Sequence, residues 1–162
     1  HSSYNIQKRY QLIFRHLLYC RYVERRLNAV WQSHMKLREE DSQEDTDCFQ
    51  QSYSLRHRML HFCRNYVYYV TVEVLEPQFH QFISSLDSVK TIDELFESHN
   101  KFLDTCLKES LLSDPSEKLA SALYKILNNC LMFTAHVSRF FTTIEETGLK
   151  QKSGCRKIFF RS

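Results

Sequence analysis

Glycine and proline are both scarce in this chain, with two of each among 162 residues. Sandwiches and barrels use these residues at their many turns, so the scarcity favours few turns and long helices. No apolar run approaches the roughly 18 residues of a membrane span, and no signal peptide is visible. The chain does not begin with Met, so we expect a fragment of a longer protein, in which missing targeting signals prove little.

Closely spaced cysteine pairs are missing as well. No two of the six cysteines have CxxC spacing, so a zinc site has no local support. We expect free thiols in a reducing cytosol, with disulfides as the alternative. The cysteines are Cys20, Cys48, Cys63, Cys106, Cys130 and Cys155.

Motifs for catalysis are absent too. There is no glycine-rich phosphate loop, no HExxH and no GxSxG. His57 and His61 share a helix face, but without an acidic third ligand they are better interpreted as solvated histidines. We expect His99 to be a hydrogen-bonded core histidine, and Glu73 to lie at a helix edge or pair with an arginine. The sequence therefore predicts no enzyme, no metal site and no cofactor.

Ordinary globular composition is what remains. Hydrophobic residues make up 43% and charged residues 25%, which suits one domain with a sizeable core. The net charge of +3 is too small to imply nucleic acid without a concentrated patch.

Apolar residues recur every three or four positions and predict an all-α bundle of four long antiparallel helices and one short helix. The expected segments are about 4–37, 52–76, 77–86, 92–106 and 115–146. Thr91 with Glu94 forms a capping box, Asp114 with Pro115 begins the last helix, and Gly148 ends it. We expect one domain over 1–147, with a mobile acidic loop at 38–51.

The apolar stripes give the candidate core. They consist of Tyr10, Ile13, Phe14, Leu17, Cys20, Val23, Leu27, Val30 and Trp31 in the first helix; Leu55, Met59, Phe62, Cys63, Tyr66, Tyr69 and Val70 in the second; Ile92, Leu95, Phe96, His99, Phe102, Leu103 and Cys106 in the fourth; and Leu119, Leu123, Ile126, Leu127, Cys130, Val137, Phe140, Phe141 and Ile144 in the fifth.

The stretch YYVTVEVLEP at 68–77 contains residues that strands favour. Its surroundings have helical spacing, and packing overrides the small helical penalty of β-branched residues, so we predict a helix ended or kinked by Pro77. Tyr68, Val72 and Leu75 add a second apolar side. This part of the helix should therefore lie between two layers or present one face to a partner.

The last residues, 148–162, carry five cations and no acid. The simpler interpretation is a frayed basic tail. The alternative is a basic-aromatic docking segment that becomes ordered on a partner.

Three strings resemble the C-terminal domain of the gamma-tubulin complex proteins. They are YQLIFRHLLYCRYVERRLNAVW (10–31), LRHRMLHFCRNYVYYVTVEVLEPQF (55–79) and IDELFESHNKFLDTCLKESLL (92–112). Their order along the chain is also that of the family, and FLDTCLKESLL and LRHRML look closest to its component 2 members. The acidic loop and the tail after Thr147 depart from that pattern.

The resemblance implies an all-helical domain that binds gamma-tubulin and helps to template microtubule nucleation at centrosomes or spindle poles. It also implies a cytoplasmic, cytoskeletal location and other complex subunits as partners, with neither nucleic acid nor membrane. The GTP in such a complex belongs to gamma-tubulin, in agreement with the missing phosphate loop. The family's N-terminal half, which makes lateral subunit contacts, is not in this chain.

Side chains off the core stripes are the candidates for partner binding, since tyrosine and arginine are enriched at interface hot spots. We predict Arg64, Tyr68, Lys101, Asp104 and Lys108. One alternative function is a purely structural bundle that packs on the rest of its own polypeptide or on a scaffold partner, with no apolar patch left exposed. A helical enzyme would need a pocket with at least two perturbed ionisable groups.

Overall fold

The computed structural model describes residues 2–40, 46–113 and 117–147, and this part of the chain is helical without any strand. The predicted all-α bundle is confirmed. The elements are α1 (Ser2–Glu40), α2 (Thr46–Tyr68), a π-helical segment (Tyr69–Leu75), α3 (Glu76–Leu86), α4 (Ile92–Glu109) and α5 (Glu117–Thr147).

The first two helices extend into the predicted acidic loop. α1 continues to Glu40 and α2 begins at Thr46, so residues 38–40 and 46–51 are helical. The sequence shows no apolar period there, but Glu, Gln and Arg have good helix propensity, which favours a helix without an apolar period. Residues 41–45, the cap residues Asp114, Pro115 and Gly148, and the tail at 148–162 lie outside the described residues.

The start of α4 matches the expected cap. The Thr91 hydroxyl accepts the backbone N–H of Glu94 at 3.2 Å. The Glu94 carboxylate accepts the backbone N–H of Lys90 at 2.8 Å, one residue before the partner that a capping box uses.

The chain forms two compact units. Unit 1 consists of His1–Arg21 and Arg64–Lys125, and unit 2 consists of Tyr22–Cys63 and Ile126–Ser162. Because each of α1, α2 and α5 supplies residues to both, neither unit is a continuous stretch of chain.

Unit 1 has α4 in contact with α1, α3 and the π segment. Its buried cluster is Ile13, Cys106 and Leu107, with Leu17, Leu75, Phe102 and Leu112 packed against it. α3 runs antiparallel to α4, because Phe82 stacks on Phe102 at 5.2 Å while Ser85 Oγ lies 2.7 Å from Ser98 Oγ.

Unit 2 is a three-helix core made by α1, α2 and α5. Its α1 and α2 are antiparallel, since the Leu27 carbonyl accepts from Arg56 at 3.5 Å and Trp31 lies 5.1 Å from Tyr53 between ring centroids. Its buried apolar side chains are Val23, Leu27, Val30, Leu60, Cys63, Leu127, Cys130, Phe133, Val137 and Phe141.

Several residues of the predicted stripes are exposed, which corrects the candidate core. Phe14 is 64% exposed and Ile92 is 72% exposed. A helix turns by about 100° per residue, so the stripes include positions beyond the narrower face that neighbouring helices cover. The other exposed members are Tyr10, Leu55, Phe62, Tyr69, Leu95, Phe96, Leu119 and Ile126. Conversely, polar residues occupy some buried positions: His16, Ser52, Arg56 and Thr134.

The stretch at 68–77 is helical as predicted, but much of it is a π-helix. The backbone N–H of Glu76 bonds the Thr71 carbonyl, five residues back. Thr71 Oγ1 also donates to the Val67 carbonyl at 2.8 Å, and Pro77 has no N–H for the α-helical bond to the Glu73 carbonyl. These competing contacts explain why the wider turn forms here.

The π turn joins two helical stripes that would otherwise be out of phase. Val70 and Val74 are buried. An unbroken α-helix would place Gln81, seven residues after Val74, on the same side. Instead Gln81 is exposed and Phe82 packs on α4, one position later. Glu73 is exposed, in agreement with the helix-edge interpretation.

Candidate protein-interaction site

The five predicted partner-binding residues all lie in unit 1 on two helices. Arg64 and Tyr68 are four residues apart on α2, and Lys101, Asp104 and Lys108 are spaced by three and four on α4. Each set therefore lies on one side of its helix. All five are exposed, and Tyr68 has 58% of its surface accessible.

Asp104 already has a partner within unit 1. Its carboxylate lies 3.0 Å from Arg9 Nη1, and the side chains are 65% and 22% exposed, respectively. Arg9 Nη1 also donates to Asn100 Oδ1 at 3.4 Å. An ion pair this exposed contributes no more than about 1 kcal/mol, so Asp104 can exchange Arg9 for an incoming cation at small cost.

The C-terminal end of α4 is bonded by two tyrosines that flank Tyr68 in the sequence. The Tyr66 hydroxyl donates to the Ser110 carbonyl at 2.9 Å, and the Tyr69 hydroxyl donates to the Glu109 carbonyl at 3.1 Å. Both satisfy carbonyls that lack a helical donor. Tyr68 comes two residues after Tyr66 and therefore projects about 200° away from it around the helix. These contacts thus join the helices without bringing Tyr68 against Lys108.

The backbone turns sharply after that end. The N–H of Leu112 bonds the Leu107 carbonyl at 2.8 Å, and the N–H of Leu111 bonds the Lys108 carbonyl at 3.1 Å. This is a Schellman cap with Leu111 at φ 62°, a left-handed position that glycine normally occupies. Leu112 packs against Leu107, which gives the cap its hydrophobic contact.

A buried hydrogen-bond chain behind this end centres on His16. The Tyr66 hydroxyl uses its proton on Ser110, so the contact at 2.8 Å requires His16 Nε2 to be the donor. His16 Nδ1 is then the acceptor of the hydrogen bond that the Tyr124 hydroxyl donates at 3.2 Å. The chain of donors runs from Tyr124 through His16 to Tyr66 and the Ser110 carbonyl, and fixes the tautomer.

Burial keeps every group of this chain neutral. It lowers the pKa of His16 and raises the pKa of Tyr66 and of Tyr124. Cys20 Sγ lies 3.9 Å from His16 Nε2, but burial raises its pKa to about 11. A nucleophilic cysteine needs a lowered pKa and access, so this pair stabilises the fold and has no feature of a catalytic couple.

His99 is hydrogen-bonded, as expected, and half-buried. Its Nε2 lies 2.9 Å from the Tyr10 hydroxyl. The centroid of its ring lies 5.4 Å from that of Phe82 and 6.3 Å from that of Phe102. His57 and His61 are exposed on α2 in unit 2. No cluster of three metal-ligating side chains occurs within the described ranges.

Sequence reasoning missed two buried polar residues, His16 and Arg56. His16 occupies a core position in the series Ile13, His16, Cys20 and Val23, whose alternating spacing of three and four residues was the available signal. In unit 2 the Arg56 guanidinium carbon lies 4.9 Å from the Trp31 ring centroid and 5.4 Å from that of Tyr53. Nothing in the local sequence shows that these two rings would enclose a cation.

All four cysteines with described side chains are free and buried: Cys20, Cys63, Cys106 and Cys130. Cys63 donates a hydrogen-bond contact that lowers the pKa of Cys130. The side chains of Cys48 and Cys155 lie outside the described residues. None of the helices in the described ranges is long and apolar enough to cross a membrane.

Comparison with known proteins gives a consistent family. Residues 3–158 match the family profile described as gamma tubulin complex component C-terminal. The chain is 39% identical over 132 residues to mouse gamma-tubulin complex component 2, covering 82% of this chain and 14% of that protein. It is likewise 39% identical over 136 residues to the fission yeast spindle pole body component alp4, covering 82% of this chain and 17% of that protein.

A plant relative agrees with these two. The Arabidopsis gamma-tubulin complex component 2 is 38% identical over 127 residues, covering 78% of this chain and 18% of that protein. The chain thus spans less than a fifth of the length of these relatives. The family predicted from the three strings is confirmed: this chain belongs to the gamma-tubulin complex component family, within the region of its C-terminal domain.

Proposed function

We propose that this chain is part of the gamma-tubulin-binding domain of a gamma-tubulin complex subunit and helps to template microtubule nucleation. The observation that carries this proposal is the match to the family's C-terminal domain over residues 3–158. The names of its relatives, a gamma-tubulin complex component and a spindle pole body component, support a cytoskeletal location at microtubule-organising centres. Other subunits of the complex are the expected further partners.

The proposed contact surface consists of Arg64, Tyr68, Lys101, Asp104 and Lys108. Two helices supply these side chains, and the tyrosine contacts to the end of α4 hold the two helices together. The set combines one exposed tyrosine ring with four charged side chains, residue types that occur at interface hot spots and their polar rims.

The second candidate function is a purely structural bundle that packs on the rest of its own polypeptide or on a scaffold partner. Phe14 and Ile92 remain largely exposed in unit 1. The first proposal has gamma-tubulin cover such side chains, and the second has the rest of the polypeptide or a scaffold partner cover them, so the binding titration separates the two.

The test is a binding titration of the folded chain against purified gamma-tubulin, in an excess of competitor protein. We expect Tyr68→Ala and Asp104→Ala each to weaken binding at least fivefold while helicity is unchanged. Tyr22→Ala is the matched control for Tyr68, since Tyr22 is a 50% exposed tyrosine of unit 2. Arg9→Ala is the control for Asp104, because it removes the same ion pair and leaves the carboxylate in place.

Absence of binding by the folded wild-type chain would remove the proposed function. Binding by the wild-type chain that Tyr68→Ala and Asp104→Ala leave unchanged would remove the surface only. Equal losses in Asp104→Ala and Arg9→Ala would show that the ion pair acts through the fold of unit 1.

A further inference from the structure

One side of α3 carries large apolar side chains that unit 1 leaves half covered. Phe79 is 51% exposed and Ile83 is 45% exposed, and none of the residues of α3 is buried. The Phe79 ring contacts Phe102 of α4, with 6.4 Å between the two ring centroids. Phe82, by contrast, faces α4, so the packing of α3 uses only part of its apolar surface.

The same side carries acidic residues. Glu76, Phe79, Ile83 and Asp87 follow one another at spacings of three, four and four, which places them along one side of the helix. We name these four residues the α3 face. Both of its carboxylates are exposed.

Cations are missing from this part of the sequence. From residue 65 to residue 89 the chain contains Glu73, Glu76 and Asp87 but neither lysine nor arginine. None of these three acids forms an ion pair with a described residue; the salt bridge of unit 1 joins Arg9 to Asp104. The α3 face therefore presents two carboxylates and no cation of its own beside the apolar pair Phe79 and Ile83.

We propose that the α3 face docks a cationic protein segment, distinct from the proposed gamma-tubulin surface. Lysine or arginine of that segment lies beside Glu76 and Asp87, and its apolar side chains cover Phe79 and Ile83. Burial of the apolar pair supplies affinity, and the carboxylates select the sign of the partner. The same carboxylates repel nucleic acid and anionic lipid surfaces, which excludes both as occupants.

The probe is a fluorescein-labelled peptide KQKSGSRKIFFRS, which is residues 150–162 of this chain with Cys155→Ser. It combines five cations with three consecutive large apolar residues. A second peptide replaces the five cations by Glu, and a third replaces Ile158, Phe159 and Phe160 by Ser. Binding to the full chain is measured by fluorescence anisotropy, with circular dichroism as the check on folding.

We expect saturable binding of the cationic peptide, with at least tenfold weaker binding of either altered peptide. Glu76→Lys with Asp87→Lys should weaken binding at least tenfold. Asp93→Lys with Glu97→Lys makes the same change in net charge at two exposed residues of α4 and should weaken it less than threefold. Phe79→Ser with Ile83→Ser should weaken it at least fivefold.

Three results would overturn the proposal. The cationic peptide fails to bind saturably both to the wild-type chain and to a variant whose own five tail cations are replaced by Glu. The two charge-reversed pairs lose affinity equally, which shows attraction by net charge alone. Phe79→Ser with Ile83→Ser binds like the wild type, which shows that the apolar pair is not covered.

Discussion

His16 joins α1 to α2 and α5 within unit 1 through its two ring nitrogens. The ring must be neutral, because one nitrogen accepts a hydrogen bond from the Tyr124 hydroxyl while the other donates one to Tyr66. Charging it would put an imidazolium among Tyr66, Tyr124 and Cys20, all of which are neutral, with no carboxylate among its hydrogen-bond partners.

The pH dependence of stability follows from this ring. Burial lowers the pKa of His16 in the folded state, whereas an unfolded histidine has a pKa of about 6.5. The unfolded chain therefore binds the proton more readily, and stability is lost as the pH falls below about 6.5 toward the folded pKa. We expect the wild-type Tm to fall more between pH 7.5 and pH 5.5 than the Tm of His16→Gln. His57→Gln, at an exposed position, should fall like the wild type; if His16→Gln does so too, the interpretation is wrong.

Leu111 has a backbone conformation that lowers the stability of the folded chain. A side chain in the left-handed region costs about 1–2 kcal/mol, and Leu111 has φ 62°. Leu111→Gly removes that cost but loses a half-buried side chain and adds freedom to the unfolded chain, so we expect a net gain of about 0.5–1 kcal/mol. Urea unfolding measures it.

Leu112→Gly is the control for this cap. Leu112 packs on the cluster of Ile13, Cys106 and Leu107, so its loss should destabilise the chain by about 1–2 kcal/mol. Destabilisation by Leu111→Gly of the same size would mean that the left-handed backbone is not strained.

At the scale of elements, the π segment is the feature that periodicity predicted only in part. Helical spacing correctly favoured a helix over a strand at 68–77. It did not reveal the wider turn. A π turn contains one residue more than an α-helical turn, and that extra residue can be recognised only from the way α2 and α3 pack on their neighbours. Phe82, not Gln81, faces α4, and that shift requires knowledge of where α4 lies.

A deletion tests this account of the π segment. Removing the exposed Glu73 should convert the π turn to α-helix while α2 and α3 keep their buried sides, because the segment contains one residue more than an α-helix needs. We expect the variant to stay folded with its Tm within about 3 °C of the wild type, which corresponds to roughly 1 kcal/mol for a chain of this length. Circular dichroism during heating gives both quantities.

The matched control is deletion of His57, an exposed residue within regular α2. That deletion rotates one part of the buried stripe by about 100° against the other and should unfold the chain at room temperature. Equal damage from the two deletions would show that the π turn does not absorb the change of phase.

At the scale of the whole molecule, we predicted a single domain and the structure has two compact units. The question is whether the two units unfold in one cooperative step. α1, α2 and α5 each belong to both units. Melting one unit would leave the other with half-helices that lack their continuation. We therefore propose that the two units unfold together.

Buried thiols can show whether the two units unfold together. Cys20 and Cys106 belong to unit 1, Cys63 and Cys130 belong to unit 2, and all four are free and buried. In a Cys48→Ser/Cys155→Ser background we expect iodoacetamide to label all four at one rate, set by global unfolding. Mass spectrometry of the digested protein measures each site. Labelling of the unit 2 cysteines at least tenfold faster than those of unit 1 would show that the units open separately.

The sequence by itself determined the helical class, the approximate helices, the Thr91 cap and the family, because propensity, apolar period and capping are local properties and the family's strings are contiguous. Only the tertiary structure decided which side of each stripe is covered, as the exposure of Phe14 and Ile92 shows. It also decided that His16 and Arg56 are buried and that Asp104 pairs with Arg9. These outcomes depend on partners up to about a hundred positions away, and no local pattern records the distance between side chains that only folding brings together.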